Sequence, residues 1–370
     1  MNKKYDYLIV GAGISGCVLA ERLASIGKKI LIIDKRNHIG GNCYDFYDEA
    51  GVLVHKYGPH YFRAKSQEVI DYLSKFTEWI PHKYKVKVRI KDTLFSFPIN
   101  KKTFEKFFNR KFSSEDDLRL FVDSIRDKTI QSPSNAEEQV VSLLGKELYN
   151  YFFKGYTEKQ WGVPVSSLDS SVTARIPIRY NENDDYILES FQAMPKKGYN
   201  SMFKEMINNE NIEVKLNTSF SKKLAENAEK IIWTGKIDEY FGYSLGNLPY
   251  RSLNFIFLSF FSKEFVQEEG QINYPSVDIP YTRSVEIKHV THQVCPNTTI
   301  SLEIPTSEGD PYYPMPTKEG KDLYVKYLEE ASKEKDVYFI GRLAKYKYLN
   351  MDQCVEEALK LFEEIKNEIP

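Results

Sequence analysis

Three glycines near the start of the chain have the spacing of a phosphate-binding turn. Gly11, Gly13 and Gly16 form a G-x-G-x-x-G pattern, and Asp34 follows 23 positions after the first glycine. In this pattern the first glycine permits a tight turn, the second lets the backbone approach a pyrophosphate, and the third lets a helix pack on a strand. Helix N–H groups hold the phosphates, and the acid accepts hydrogen bonds from ribose. The pattern predicts a dinucleotide site, and both NAD and FAD fit it.

Side chains that perform catalysis by themselves form no recognisable pattern in the sequence. There is no Ser-His-Asp or paired-carboxylate signature, and no cluster of His, Cys or carboxylates has metal-ligand spacing. The cysteines form neither a disulfide framework nor a CxxC pair: Cys17, Cys43, Cys295 and Cys354. We therefore expect no metal ion, and a reducing cytoplasm is the simplest location.

Composition argues against several classes of protein. The chain has 370 residues, which is long for one compact domain, and a formal net charge of −1 at pH 7. No global positive field would therefore attract nucleic acid. The N-terminus runs into a strand without a signal-peptide segment, and the most apolar later stretch, Leu253–Phe261, is too short to span a bilayer. We expect a soluble protein with no nucleic-acid partner and no membrane insertion.

The glycine turn lies inside a predicted βαβ unit. Tyr5–Val10 is typical of a buried strand, Cys17–Ile26 of an amphipathic helix, and Lys29–Ile33 of a second strand. The handedness of such crossovers makes the two strands parallel neighbours. Further strands and a last helix are predicted to belong to the same unit: Glu213–Leu216, Lys230–Thr234, Val337–Ile340 and the helix Met351–Ile365.

Two other regions interrupt this unit. From about Lys101 to Gln160 the pattern is helical, and Ser134 and Glu137 have the spacing of a capping box before one of the helices. Residues 172–199 and 250–304 are rich in β-branched and aromatic residues broken by Pro, Asn and Gly. They predict strands of a second sheet.

The segment after Asp34 distinguishes the two dinucleotides. The run KRNHIGGN, Lys35 to Asn42, resembles the segment that follows the ribose-binding acid in FAD enzymes of the glutathione-reductase and amine-oxidase type. There the glycines approach the dinucleotide. Gly341-Arg342, followed by a helix, resembles a second contact of those enzymes, near the ribityl chain and the ring. The resemblance implies FAD in preference to NAD.

Several segments resemble, in order along the chain, those of the bacterial UDP-galactopyranose mutase family. They are HKYGPH at 55–60, FFKGYTEKQWG at 152–162, RIP at 175–177, PYTR at 280–283, DPYYP at 310–314 and GRLAKYKY at 341–348. The KGYTEKQWG run is highly specific. Because these segments extend over most of the chain, the resemblance exceeds a shared nucleotide-binding domain.

The resemblance implies the fold class and its boundaries. The class is α/β, with a Rossmann-like FAD-binding domain, an inserted helical lobe and an antiparallel β-sheet domain around a cleft. We assign residues 1–80, 210–245 and 330–370 to the FAD domain and 101–170 to the lobe. The sheet domain takes residues 81–100, 171–209 and 246–329.

The resemblance also implies an activity. The family interconverts the pyranose and furanose forms of UDP-galactose through an adduct between the sugar and N5 of reduced FAD, without net redox change. An external reductant such as NAD(P)H, a homodimer and a role in cell-surface polysaccharide synthesis are implied as well. The positions that match the family's cofactor contacts are Gly11, Gly13, Ser15, Gly16, Asp34, Lys35, Gly41, Asn42, His60, Arg342, Asn350 and Met351.

Substrate contacts are carried over in the same way. Arg175 and Arg283 match two arginines that clamp the diphosphate, for which permanently charged, bidentate donors are suited. With His60, which is placed beside the flavin, they are the candidate catalytic residues. Phe152 and Phe153 lie four and three positions before Tyr156, so on a helix they share a face that can form an apolar slot for uracil. The other matching positions are Trp161, Tyr186, Arg251, Tyr313 and Tyr348.

Three positions depart from the best-known bacterial members. Arg63 stands where a second His is expected, Tyr84 lies near an expected Asn, and Asn350 replaces a usual Asp. The first two leave the sugar and the base open, so another hexose or an N-acetylhexosamine fits as well. Asn350 can still cap the last helix, but the lost negative charge predicts a higher flavin reduction potential than in Asn350→Asp.

Three other functions remain open from the sequence. The first is a different reaction on a nucleotide sugar, such as hydrolysis or epimerisation. The second is an amine-oxidase-like flavin oxidoreductase, which would leave the two arginines and the aromatic slot unexplained. The third is a flavin-bearing binding protein without turnover.

Overall fold

The computed structural model describes residues 4–368, so residues 1–3 and 369–370 of the predicted nucleotide-binding domain lie outside the described residues. Its strands are β1 (Tyr5–Val10), β2 (Ile30–Ile33), β3 (Asp45–Tyr47), β4 (Leu53–His55), β5 (Phe62–Ala64), β6 (Trp79–Pro81), β7 (Val86–Ile90), β8 (Thr93–Phe97), β9 (Phe191–Pro195), β10 (Ile212–Lys215), β11 (Ala228–Trp233), β12 (Tyr250–Phe260), β13 (Gln271–Asn273), β14 (Arg283–Val285), β15 (Thr298–Thr306), β16 (Tyr313–Pro314) and β17 (Val337–Phe339).

The helices lie between and after these strands along the chain. They are α1 (Ile14–Ser25), α2 (Gln67–Leu73), α3 (Lys101–Phe107), α4 (Glu115–Ile125), α5 (Ala136–Leu148), α6 (Gly155–Trp161), α7 (Ser171–Ala174), α8 (Gly198–Met206), α9 (Lys222–Ala225), α10 (Ile237–Tyr240), α11 (Lys288–Thr291), α12 (Lys318–Ala331) and α13 (Met351–Glu368). Helices α3 to α7 follow one another without a strand between them. A π-helical turn, Tyr149–Lys154, joins α5 to α6. Within residues 4–368, no helix has both the length and the apolar character needed to cross a bilayer.

A parallel sheet of five strands carries the nucleotide-binding unit. Its order is β10-β2-β1-β11-β17, and every neighbouring pair is parallel. The predicted parallel pairing of the first two strands is confirmed, and the strands end within two residues of their predicted limits. β2 is buried along its whole length, as expected for a strand covered on both faces. Helices α1 and α13 pack on each other beside this sheet.

A mixed sheet of seven strands forms the centre of the predicted sheet domain. Its order is β16-β12-β15-β14-β13-β7-β8, and only β13 and β7 run parallel. The strands predicted over 172–199 form only at β9, which pairs with β5 and β6 in a separate three-stranded sheet. Asn181 and Asn183 explain the irregular backbone before β9, because each side chain accepts the N–H two residues later. Such local bonds compete with strand pairing.

The predicted helical lobe has a hydrophobic core of its own. Buried residues of α3, α4, α5 and the π-helical turn form one cluster with apolar residues of β7 and β8. The capping box before α5 lies one residue later than predicted. Asn135 is the N-cap and accepts from the Glu138 N–H at 2.9 Å, while Glu138 accepts from Ser134. An Asn side chain caps as well as a Ser does, so the local pattern alone did not decide between them.

Candidate functional site

The glycine turn between β1 and α1 is closely packed on its neighbours. Gly11 has φ +107°, and a Cβ there would lie 2.0 Å from Oγ1 of Thr234. A Cβ on Gly16 would lie 2.1 Å from the carbonyl oxygen of Gly11, so Gly16 permits the close packing of helix on strand. Gly41 has φ +55°, and its Cβ would lie 2.9 Å from Cα of Gly13. These approaches leave the backbone of the three glycines close to its neighbours, which a Cβ at any of them would prevent.

Asp34 ends β2 with both carboxylate oxygens held by backbone. Oδ2 accepts from the N–H of Ala12 at 2.9 Å, and Oδ1 accepts from the N–H of Arg36 at 2.9 Å. The side chain is only 9% exposed, yet it lines the groove. A carboxylate oxygen has more than one acceptor site, so each can still accept from a ribose hydroxyl. This arrangement suits the adenosine end of a dinucleotide.

A groove of about 240 Å³, here called the dinucleotide groove, continues from Asp34 along the carboxyl edge of the parallel sheet. Most of the predicted cofactor residues line it: Gly11, Gly13, Ser15, Asp34, Lys35, Gly41, Asn42, His60, Arg342 and Met351. Gly16 lies beneath it, and Asn350 faces the neighbouring cavity instead. The residues and the backbone therefore fit an extended dinucleotide.

Arg36, which we had not assigned to the site, fixes one wall of this groove. Its Nη2 lies 3.0 Å from Oδ2 of Asp310, and its Nη1 donates to Oδ1 of Asn42 at 2.9 Å. The guanidinium also covers the ring of Tyr57 at 4.4 Å. Lys35 lies 3.4 Å from the same Asp310 carboxylate. These contacts tie the segment after β2 to the loop before β16.

His60 lies where the dinucleotide groove opens into a larger cavity. Its Nδ1 is 2.9 Å from the carbonyl oxygen of Gly58, which fixes Nδ1–H as the donor. Burial lowers the pKa of His60 to about 4, and the positive charges of Arg342 and Arg283 add to the effect. His60 is therefore neutral at pH 7 and keeps a lone pair on Nε2.

The larger cavity, here called the central cavity, has a volume of about 570 Å³ and is lined by several arginines. Arg175, Arg283 and Arg342 come from three distant parts of the chain and all face it. Nε of Arg283 donates to Oε2 of buried Glu303 at 2.6 Å, and Nη2 donates to the hydroxyl of Tyr313 at 3.4 Å. This concentration of permanent positive charge suits an anionic ligand such as a diphosphate.

Tyr348 lies between two of these arginines. The guanidinium of Arg342 is 4.6 Å from the centre of its ring, and that of Arg175 is 5.3 Å away. The tyrosine's surroundings would raise the pKa of the phenol by desolvation, but the two guanidiniums outweigh this and lower it to about 8. The two guanidiniums therefore favour the ionised form of Tyr348, which is 45% exposed.

A third space of about 410 Å³, here called the base cavity, adjoins the central cavity and shares Arg175, Arg283 and Tyr313 with it. Its apolar wall contains Phe152, Phe153, Tyr156 and Trp161, and Tyr186 and Tyr348 border both spaces. The phenylalanines lie in the π-helical turn rather than in a regular α-helix. They also contribute to the core of the lobe, because Phe152 packs edge-on against Phe95 at 5.4 Å.

The structure places one predicted substrate contact, Arg251, away from the cavities. Arg251 lines none of the three spaces. It is 8% exposed, and its guanidinium donates to the carbonyl oxygens of Gln160 at 3.0 Å and Lys159 at 3.3 Å. Arg251 thus satisfies the C-terminal carbonyls of α6, which otherwise have no helical partners.

The departures from the family pattern fall in different places. Tyr84 is in the core, where its hydroxyl donates to the carbonyl oxygens of Phe62 and Ala193, so it touches no cavity. Arg63 lines the central cavity and lies 3.4 Å from Glu189. Asn350 also lines the central cavity, and its backbone N–H donates to Oε1 of Gln353 at 2.9 Å.

Gln160 and Asp352 are among the cavity residues that the sequence did not indicate. Gln160 is 8% exposed and lines the base cavity, and its Oε1 has no hydrogen-bond partner among residues 4–368. Asp352, in the first turn of α13, lines the central cavity with its Oδ1 also unpartnered in the described chain. Buried polar atoms are almost always paired, so each is a candidate for a ligand contact. Gln160 lies inside the KGYTEKQWG run, but nothing in that run distinguishes it from its neighbours.

Comparisons with known proteins agree with this arrangement. Residues 151–348 match the family model of UDP-galactopyranose mutase, and residues 9–76 match that of an NAD(P)-binding Rossmann-like domain. A probable UDP-galactopyranose mutase of Klebsiella pneumoniae is 39% identical over 374 residues, which cover 100% of this chain and 96% of that protein. A dTDP-fucopyranose mutase of Escherichia coli is 36% identical, with 97% of each chain covered.

The fold is similar to that of a solved structure as well. A crystal structure of reduced UDP-galactopyranose mutase superposes with a TM-score of 0.77 at 16% identity, covering 98% of this chain and 94% of that one. At 16% identity the likeness to this structure supports the fold alone. The family rests on the two sequence relatives, which match nearly the whole length of the chain at 39% and 36% identity. The chain therefore belongs to the UDP-galactopyranose mutase family and is an isomerase of the mutase type.

Proposed function

We propose that the protein binds FAD and, with the flavin reduced, interconverts the pyranose and furanose forms of a UDP-sugar, UDP-galactose being the first candidate. The observation that carries this proposal is the continuity of the three spaces. The dinucleotide groove and the central cavity share His60 and Arg342, and the central and base cavities share Arg175 and Arg283. A dinucleotide and a nucleotide sugar would meet in the central cavity.

The backbone around the groove supports a dinucleotide of the length of FAD. Asp34 lies at one end, and His60, Arg342 and Met351 lie at the other, beside the central cavity. The close approach of Gly41 to Gly13 leaves room for a pyrophosphate against the backbone. We propose the discontinuous FAD domain, the helical lobe and the sheet domain as delimited above.

A reduced flavin would supply the nucleophile that attacks the anomeric carbon, and the chain's residues would hold the leaving nucleotide. Arg175 and Arg283 are suited to bind the diphosphate and to stabilise the charge that it gains as the bond to the sugar breaks. Glu303 holds Arg283 through Nε, so the remaining guanidinium N–H groups point toward Tyr313 and the cavity. Neutral His60 would not donate a proton at pH 7, and its unprotonated Nε2 remains an acceptor.

The base cavity supports a pyrimidine nucleotide. Phe152, Phe153 and Tyr156 provide aromatic surface on which a base can stack. The unpartnered Oε1 of Gln160 offers an acceptor there, and the imide N–H of uracil or thymine is a donor of the required kind. Both bases have this N–H, so the cavity accommodates UDP- and dTDP-sugars alike.

The sugar is the least determined part of the substrate. The relatives at 39% and 36% identity are named for UDP-galactopyranose and dTDP-fucopyranose. Arg63 and Asn350 both face the central cavity, so their departures lie near where the sugar would bind. We therefore keep dTDP-fucose as the second candidate substrate.

The deciding experiment incubates dithionite-reduced protein with UDP-galactopyranose or UDP-galactofuranose and separates the products by liquid chromatography. Interconversion by the reduced protein and none by an oxidised control is the expected result. dTDP-fucopyranose is assayed in parallel. Free UDP that accumulates with time would instead indicate hydrolysis, and stoichiometric hydrogen peroxide or NAD(P) turnover would indicate an oxidoreductase.

A protein that binds UDP but converts no nucleotide sugar would be a binding protein, contrary to the proposal.

We further propose a cytoplasmic homodimer that receives electrons from NAD(P)H and supplies a furanose donor for cell-surface polysaccharide. NAD(P)H replacing dithionite in the same assay tests the reductant. Sedimentation analysis of the purified protein tests the dimer.

A further inference from the structure

Lys159, near the end of α6, makes an unusual set of hydrogen bonds. Its ammonium group donates to four backbone carbonyl oxygens of one loop: Tyr274 at 2.6 Å, Ser276 at 2.7 Å, Ile279 at 2.9 Å and Tyr281 at 2.9 Å. An ammonium has three N–H groups, so four acceptors use all of them. Every oxygen belongs to the loop at residues 274–281, which lies more than a hundred residues away in the chain.

No carboxylate balances this charge in the described chain, since no ion pair of Lys159 occurs among residues 4–368. Burial lowers the pKa of Lys159 to about 8, so the ammonium depends on carbonyl dipoles in place of a counter-ion. Gly155, one turn earlier on the same face of α6, contacts the same loop. A Cβ there would lie 2.2 Å from the carbonyl oxygen of Pro275. Helix α6 therefore rests directly on the loop at two successive turns.

This contact joins two walls of the base cavity. On one side, α6 carries Tyr156 and Trp161, which line the cavity. On the other side, the loop connects β13 to β14, and its flanking residues Asn273 and Arg283 line the cavity as well. The N–H of Tyr274 donates to the Thr282 carbonyl at 2.8 Å and closes the loop at its base, directly before Arg283.

We propose that Lys159 is a positioning residue for nucleotide recognition. By holding the loop at 274–281 against α6, it sets the distance between the aromatic wall that receives the base and Arg283, which receives the diphosphate. Lys159 touches neither the base nor the phosphates in this role. The inference rests on the proposed function in one respect, namely that the ligand is a nucleoside diphosphate.

A second lysine provides a matched control. Lys288 is 3% exposed and donates to the backbone carbonyls of Glu264 at 2.9 Å, Cys295 at 2.5 Å and Asn297 at 3.1 Å. It lines none of the three cavities. Lys159→Met and Lys288→Met therefore remove the same kind of interaction, but only the first does so between the two walls of the base cavity.

The experiment compares the FAD-loaded wild type with these two variants and with Lys159→Arg. Calorimetry measures UDP and dTDP binding, the reduced-enzyme assay separates KM from kcat, and thermal unfolding measures stability. Lys159→Met is expected to raise both the Kd of the nucleotide and the KM by about tenfold or more. This is the size of effect that the loss of one well-placed ligand contact has. The kcat is expected to change little, because the nucleotide is bound less tightly in both the ground state and the transition state. Lys288→Met is expected to lower stability while its Kd stays within about twofold. Lys159→Arg keeps the charge but spreads its donors in a plane, so an intermediate Kd is expected.

Equal nucleotide affinity in Lys159→Met and wild type, or an equal loss in Lys288→Met, overturns the inference. Hydrogen exchange at residues 274–282 adds a readout that needs no ligand, and Lys159→Met should speed exchange there. If wild type binds neither UDP nor dTDP, the proposed function fails, and the exchange rates still decide whether Lys159 holds the loop. If Lys159→Met yields no folded protein, Lys159→Arg carries the same comparisons.

Discussion

Arg283 reaches the carboxylate of Glu303 through a single hydrogen bond from Nε, 2.6 Å long, and Glu303 is completely buried. The other carboxylate oxygen has no partner among the described residues. Burial raises the pKa of the Glu303 carboxyl even though Arg283 opposes the shift. The arginine therefore has one fixed side, toward the sheet, and one side that a ligand can use.

Glu303→Gln removes the charge on the fixed side and keeps the shape. Breaking a fully buried ion pair typically costs about 3–5 kcal/mol of stability, and a smaller loss is expected here because the Arg283 side chain is 18% exposed. A bound diphosphate would supply a replacement charge. We expect a lower melting temperature and a larger stabilisation by saturating UDP than in wild type, both measured by thermal unfolding. Glu286→Gln is the control, because Glu286 is equally buried but binds backbone N–H groups away from the cavities. Equal UDP stabilisation in wild type and Glu303→Gln would contradict the prediction.

Tyr348 predicts a pH dependence of nucleotide binding. The pKa of its phenol is lowered to about 8. Below pH 8 the phenol is neutral and leaves the charge of Arg175 available to a diphosphate. Above pH 8 the phenolate competes with the diphosphate for Arg175, so the Kd of UDP should rise through this range, with a limiting slope of about tenfold per pH unit.

Tyr348→Phe removes the titrating group while keeping the ring, so the rise in Kd between about pH 7 and 9 should be much smaller in that variant. Calorimetric titrations of wild type and Tyr348→Phe at several pH values measure it. Any dependence left in the variant belongs to other groups, including Lys159, whose pKa is also about 8. An identical pH dependence in both proteins rules out Tyr348 as the source.

Asn350 predicts a shift in flavin potential. It immediately precedes α13 and lines the central cavity together with Arg342 and Met351, two of the proposed cofactor residues. Asn350→Asp would add a negative charge there and disfavour the anionic reduced flavin. We expect the reduction potential to fall by tens of millivolts, since roughly 30 mV corresponds to about 1.4 kcal/mol for a two-electron couple.

Potentiometric titration of the FAD-loaded protein measures this shift, and Asn350→Leu controls for the loss of the amide without a new charge. The Leu variant is expected to stay closer to wild type than the Asp variant does. An equal or higher potential in Asn350→Asp would show that the charge at this position does not act on the flavin.

The close packing of Gly41 on Gly13 predicts that a side chain at position 41 disturbs the proposed FAD site. A Cβ there would lie 2.9 Å from Cα of Gly13, whereas a Cβ on Gly51 would meet nothing within 4 Å. Both glycines have positive φ, so Gly41→Ala and Gly51→Ala share a backbone cost of about 1–2 kcal/mol. Only Gly41→Ala should also lower the FAD content, read from flavin absorbance per protein after purification. FAD retention at the wild-type level in Gly41→Ala would contradict the prediction.

Local patterns determined much of the nucleotide-binding unit in advance. The strands Tyr5–Val10 and Ile30–Ile33 and the turn between Gly11 and Gly16 follow from contacts among about thirty consecutive residues. Apolar runs, glycine positions and one acid are enough to specify such a unit, because its parts are joined by short connections. The family membership was also predictable, since the matching segments are spread along the chain.

The tertiary structure alone decided where individual side chains point. The sequence placed Arg251 in the cleft, but residue type does not say that its guanidinium faces the end of α6. Gln160 became a candidate contact only when its Oε1 proved to be buried without a partner. Lys159 became a candidate positioning residue only when α6 proved to rest on a loop 115 to 122 residues away. Residue types and spacing thus determined the fold class, the family and the nucleotide motif, whereas side-chain roles in the cleft depended on long-range packing, which no local pattern encodes.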